Sequence, residues 1–183
     1  MDKEKLKEYL EYLSNKNRHA AHSWLHGIRH WERVERFGLL MAGESPEADR
    51  EVISWFAYIH DSMRQDDGHC IEHGPKAALF VDEIREMFLG ELDDGQIATL
   101  KLACRSHTKE KTTDNLTANI CMDADRLDLP RCGIRPMSQK MASPLGAELA
   151  GVLYAASMSY RHVEDIQPVS YDLLVEHLNR RKK

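Results

Sequence analysis

A chain of 183 residues with 42% hydrophobic and 30% charged side chains can bury a sizeable core as one soluble globular domain. Its formal net charge of -5 argues against a protein that coats nucleic acid, a class that is usually basic; a small anionic partner in a locally basic pocket stays open. No run approaches the roughly 18 apolar residues of a membrane span, and Met1-Asp2-Lys3-Glu4-Lys5 lacks an apolar signal region.

Cys70, Cys104, Cys121 and Cys132 form no CxxC pair. They read as reduced thiols of a cytoplasmic protein.

Residues 2–14 place Leu6, Tyr9, Leu10 and Leu13 at helical spacing among Lys and Glu, the pattern of an amphipathic surface helix. The polar run 15–23 reads as a loop or helix end with exposed His19 and His22. A second helix is predicted over 24–42, with Ile28, Trp31, Val34 and Leu39 in its apolar stripe. His26 and His30, four residues apart, share one of its faces, and Gly43 with Ser45-Pro46 ends it.

The third helix, 47–63, carries Val52, Ile53, Trp55, Phe56 and Ile59 and closes in His60-Asp61. A carboxylate beside such an apolar run is costly unless paired or ligated. Residues 64–74 are a loop rich in charge and histidine, and loops held by rigid helices often carry sites. Arg64 follows Asp61 by three residues, within reach of a bound phosphate.

Pro75 suits the first turn of a helix over 75–89, with Leu79, Ile84 and Phe88 inward and Gly90 as its stop. His73 sits just before that N-terminus, where backbone N–H groups favour anions. Asp93 or Asp94 caps a helix to about residue 107. Ile97, Leu100, Cys104 and His107 share its apolar face, so His107 needs a hydrogen-bond partner or a metal.

Asp114 is placed to cap a helix over 114–129, which is apolar on opposite faces and therefore buried. Asp123 and Asp125 are both costly there, and periodicity does not say which is a ligand. Pro130 ends this helix, and Arg131 to Pro144 reads as a long irregular loop, either a solvated connector or a cover for a site. Helices over 145–160 (Leu145, Leu149, Leu153) and 171–183 (Leu173, Leu174, Val175, Leu178) complete an all-α chain. The basic Arg180-Arg181-Lys182-Lys183 end complements a helix C-terminus.

The chemistry centres on His60-Asp61. Imidazole and carboxylate suit divalent transition metals, but two neighbours cannot enclose an ion. Further donors are offered in the order His30, His60-Asp61, His73, His107, Asp125.

The chain resembles the HD-domain superfamily of metal-dependent phosphohydrolases. The likeness lies in His26-Gly27-Ile28-Arg29-His30-Trp31-Glu32-Arg33-Val34, His60-Asp61-Ser62, Glu72-His73-Gly74, His107 and Asp123-Ala124-Asp125-Arg126-Leu127-Asp128, within residues 20–132. It implies a single helical-bundle domain over 1–183, with a core at 20–132 and the helices of 145–183 packed on it. His30, His60, Asp61 and Asp125 match the family's ligands, and the pattern Ala-Asp-x-Leu favours Asp125 over Asp123. His107 and His73 match the extra ligands of members that hold two ions. His73 follows the dyad by a short interval, so it serves as second-metal ligand or general acid.

The implied activity is hydrolysis of a small phosphoester such as a nucleotide. It runs by attack of hydroxide generated on one or two divalent ions (Mn, Fe, Co, Ni, Mg or Zn). Asp61 bridges and holds the nucleophile. Arg64, Arg126 and Arg131 are candidates to stabilise phosphoryl charge, set against structural pairing of the last two with Asp123 or Asp128. His26 and His69 are candidates to orient ligands. Two rival readings are a diiron oxygenase of the same fold and a non-catalytic nucleotide-sensing module. Neither nucleic acid nor membrane is expected as partner.

Overall fold

In a computed structural model that describes residues 2–68 and 70–183, the chain is all-α, with no strand among those residues. The α-helices are α1 (Lys3–Lys16), α2 (Arg18–His22), α3 (Ile28–Gly43), α4 (Arg50–Ile59), α5 (His73–Phe88), α6 (Asp94–Ser106), α7 (Leu116–Leu127), α8 (Pro144–Ser157) and α9 (Gln167–Arg181). No helix among them is long and apolar enough to cross a membrane.

Local chemistry sets most boundaries. The side chains of Asp2, Asp49, Asp93, Asn115 and Ser143 each accept a backbone N–H in the first turn of α1, α4, α6, α7 and α8, satisfying donors that a helix start leaves bare. Asp93 and Gln96 form a reciprocal capping box. Asn115, and not the predicted Asp114, caps α7: both side chains are competent, and only Asn115 stands directly before the first helical residue.

The core surrounds α4, whose residues Val52 to Ile59 are all buried. α3, α6 and α7 pack on it, α5 pairs with α6, α8 lies on α7, and α9 touches α8 and α3. α1 is fastened through Tyr9, whose ring meets Trp55 and Phe88 edge-on at 5.6 Å and whose hydroxyl donates to the Tyr58 carbonyl.

Other boundaries differ from the sequence expectation. The second predicted helix starts at Ile28, leaving His26 in the preceding turn. The run after α1 folds into the short α2, capped by Asn17, with His19 and His22 exposed. The last helix begins at Gln167, where Pro168 supplies a helical φ in its first turn. Leu79 points to solvent, 70% exposed. The buried stripe of α5 is Ala77, Phe80, Val81, Ile84 and Phe88, a helical register from which Leu79 is offset.

α8 approaches α7 closely at Gly146, where an added Cβ would lie 2.1 Å from Asp123 Oδ2. Gly146→Ala should therefore cost about 1–3 kcal/mol through forced repacking. In a thermal melt this is a fall of several degrees, and an unchanged midpoint would show that the helix contact is loose.

Candidate metal centre

Five helix ends converge on one point. His30 comes from the first turn of α3, His60 and Asp61 from the end of α4, and His73 from the start of α5. His107 comes from the end of α6 and Asp125 from the last turn of α7. His30, His60, Asp61, His73 and His107 are buried.

Each ring is fixed from behind. His60 Nδ1 lies 3.0 Å from the Ala57 carbonyl oxygen, and His107 Nδ1 lies 2.7 Å from that of Cys104. His73 Nδ1 donates to the Cys70 carbonyl, and His30 Nδ1 lies 2.7 Å from Asp128 Oδ2. Carbonyls and ionised carboxylates only accept, so the proton of each neutral ring sits on Nδ1. Each Nε2 then turns a bare lone pair toward the centre. Burial holds the His60 imidazole at about 3, so that ring is neutral near pH 7.

The lone pairs face each other in two couples. His30 and His60 have Nε2 atoms 3.1 Å apart, and those of His73 and His107 are 2.9 Å apart. Two bare acceptors at that distance repel. Two imidazole nitrogens bound to one ion at about 2.1 Å and about a right angle would stand about 3.0 Å apart, so the spacing suits a shared cation.

Asp61 lies between the couples. Its Oδ2 is 3.7 Å from His30 Nε2 and 3.6 Å from His60 Nε2. Its Oδ1 is 3.0 Å from His73 Nε2 and 3.8 Å from His107 Nε2. Asp125 Oδ1 joins the first couple, 3.3 Å from His30 Nε2 and 3.8 Å from His60 Nε2. Burial opposes ionisation of Asp61, but the hydrogen bond from His26 and the Arg64 guanidinium at 2.9 Å favour the anion. Its carboxyl is held well below the usual range. Asp125 is held low as well, against burial, with the Arg131 guanidinium 3.8 Å from its Oδ1. Nitrogen and oxygen donors in this arrangement can hold a divalent metal.

The family model for the HD domain matches residues 27–129. The chain belongs to the HD domain family. HD domains bind divalent metals, and the family consists mostly of metal-dependent hydrolases. Neither curated proteins nor solved structures gave a match to the chain.

Within the HD domain, the two costly aspartates of α7 have separate tasks. Asp125 faces the imidazoles. Asp123 accepts from Ala142 N at 2.6 Å and from Ser143 N and Oγ at 2.9 and 2.6 Å, anchoring the start of α8.

Arg64, Arg126 and Arg131 all line the cleft that opens from the HD site, about 470 Å³ in volume. Arg64 donates to Asp61 Oδ1 at 2.9 Å and to the Gly68 carbonyl at 3.1 Å. Arg126 donates to the carbonyls of Lys111, Lys140 and Glu110. Arg131 donates to the carbonyls of Leu25 and Asp128, with Nη2 3.3 Å from His26 Nδ1. A larger groove of about 680 Å³ along α1, lined by Lys3, Leu6 and Lys7 among others, carries no such donor set among the described residues.

Three supporting groups escape sequence reasoning or enter it only loosely. Asp128 receives His30 Nδ1, the Arg33 fork at 2.8 and 3.0 Å, and Gln167 Nε2 at 2.8 Å. Gln167 lies beyond the residues matched by the HD model and carries no motif. His26 Nδ1 lies 3.1 Å from Asp61 Oδ2, so its place as an orienting group is reached from a turn and not from a helix face. His69 lies outside the described residues.

Proposed function

We propose that this chain is a metal-dependent phosphohydrolase that acts on a small phosphoester. The observation that carries the reading is the pair of facing imidazole couples, each beside one oxygen of Asp61, a donor set that would suit a divalent cation at each couple. His30, His60, Asp61 and Asp125 would hold one, and Asp61, His73 and His107 the other. His73 fits a ligand better than a general acid, because its Nδ1 proton is committed to the Cys70 carbonyl.

A bound divalent cation lowers the pKa of coordinated water to about 7 and draws charge from a phosphoryl oxygen. The protein's own groups prepare the ground for this. Asp61 is kept ionised and is oriented by His26 and Arg64. Asp128 keeps the His30 proton on Nδ1. Leu25 and Leu129 add apolar surface to the lining of the cleft.

The test is to purify the protein anaerobically, count metal per chain, and assay phosphoester hydrolysis beside oxygen uptake. Bound metal with phosphate release and no oxygen uptake is expected. Iron-dependent oxygen consumption would favour the oxygenase. Ligand-dependent thermal stabilisation without turnover would favour a sensing module. No metal even in excess Mn or Ni would defeat the enzyme reading.

A further inference from the structure

The phosphohydrolase reading leaves the rest of the substrate open, and the cleft wall speaks to it. Each arginine in that wall is spent on protein acceptors: Arg64 on Asp61 and Gly68, Arg126 on three carbonyls, Arg131 on two. Among the described residues no lysine lines the cleft. The carboxylate of Asp67 does, with Oδ1 2.5 Å from Ser23 Oγ. A second or third phosphate would lose its hydration without finding, among the described residues, a lysine or an arginine free of protein partners, and would meet an acid.

What remains of the wall is apolar or weakly polar. Leu25 and Leu129 are half-buried in the lining of the cleft, and Ile71 and Ile134 line it too, 43% and 50% exposed. These two come from separate loops, one before α5 and one after α7, yet line the same cleft. Apolar side chains from separate loops lining one cleft around a few polar groups have the composition of a small-molecule pocket. Thr108 Oγ1, next to His107 in the same wall, is buried without a hydrogen-bond partner among the described residues. It offers one neutral contact.

Resting on the phosphohydrolase reading, we infer that the substrate is a monophosphate ester of a compact, largely apolar alcohol, and that polyphosphates are disfavoured. The phosphoryl group would sit over the Asp61 cluster, with the alcohol against Ile71 and Ile134.

The experiment measures binding of ethyl-, butyl- and hexylphosphonate, which cannot be hydrolysed, to the Mn-loaded full chain. It adds kcat and KM for the matching alkyl phosphates and for ATP. Hexyl should bind at least about 10-fold tighter than ethyl, since each buried methylene contributes a several-fold gain. Among the esters this should fall in KM and leave kcat little changed. The doubly substituted Ile71→Ser, Ile134→Ser chain should flatten that hexyl-to-ethyl ratio, whatever its absolute rate. Equal binding across the series, or tighter binding and faster turnover of ATP, overturns the inference. A chain-length gradient in phosphonate binding with no ester hydrolysed upholds the ligand class while defeating the phosphohydrolase reading.

Discussion

Asp61→Ala should empty both halves of the site, whereas His107→Ala should remove one ion of two. Asp61 turns one oxygen toward each imidazole couple, Oδ2 toward His30 and His60 and Oδ1 toward His73 and His107. Its loss takes the anion from four neutral donors and leaves the Arg64 guanidinium facing them unpaired, a second penalty for any cation. The fall in metal affinity should exceed the 10–100-fold that removal of an outer partner typically costs, and hydrolysis should drop to background. In His107→Ala, His30, His60, Asp61 Oδ2 and Asp125 keep their mutual distances. Elemental analysis after anaerobic purification decides the matter. Two ions in Asp61→Ala would refute the bridging role. One ion in both wild type and His107→Ala would reduce the site to His30, His60, Asp61 and Asp125.

The donors themselves were readable because each sits at a helix end with a sequence mark. His60-Asp61 closes an apolar run, His73 precedes Gly74-Pro75, and His107 completes an apolar stripe. Burial of α7 was readable too, but not the division of labour between Asp123 and Asp125. That depends on which way the loop at Ala142 and Ser143 returns, a contact across about 20 residues. The supporting contacts were beyond local reasoning for the same cause. Asp128 meets His30 across 98 positions and Gln167 across 39, and no periodicity spans such gaps. Leu79 misled because its hydrophobicity was weighed without its register, four positions past Pro75 but off the Ala77, Phe80, Val81, Ile84 stripe. The arginines show the converse. Their proximity to the site was legible, while their commitment to backbone carbonyls came only with the path of the loops.

Asp128→Ala should be the most damaging change outside the donor set, for stability and activity together. The carboxylate is 1% exposed and satisfies three donors at once: the His30 ring, the Arg33 fork and the Gln167 amide. Burial pushes its pKa up, but His30, Arg33 and Arg131 hold it below the usual range. Truncation strands a partly buried guanidinium, and breaking such a pair costs about 3–5 kcal/mol. For a chain of this size that is a fall in Tm of about 6–20 °C. It also frees the His30 proton to move to Nε2, where it would cover the lone pair that faces His60. Metal affinity should fall by about 10–100-fold as a result. Asp128→Asn separates the two effects. It preserves shape and much of the packing, yet its amide group turns N–H toward donors and cannot hold both His30 and Arg33. Its activity loss should therefore approach that of Asp128→Ala while its melting point stays closer to wild type. Gln167→Ala removes only one donor, so it should cost about 1 kcal/mol and leave the His30 tautomer in place. Equal metal affinity in Asp128→Asn and wild type would show that packing alone, without the carboxylate, orients His30.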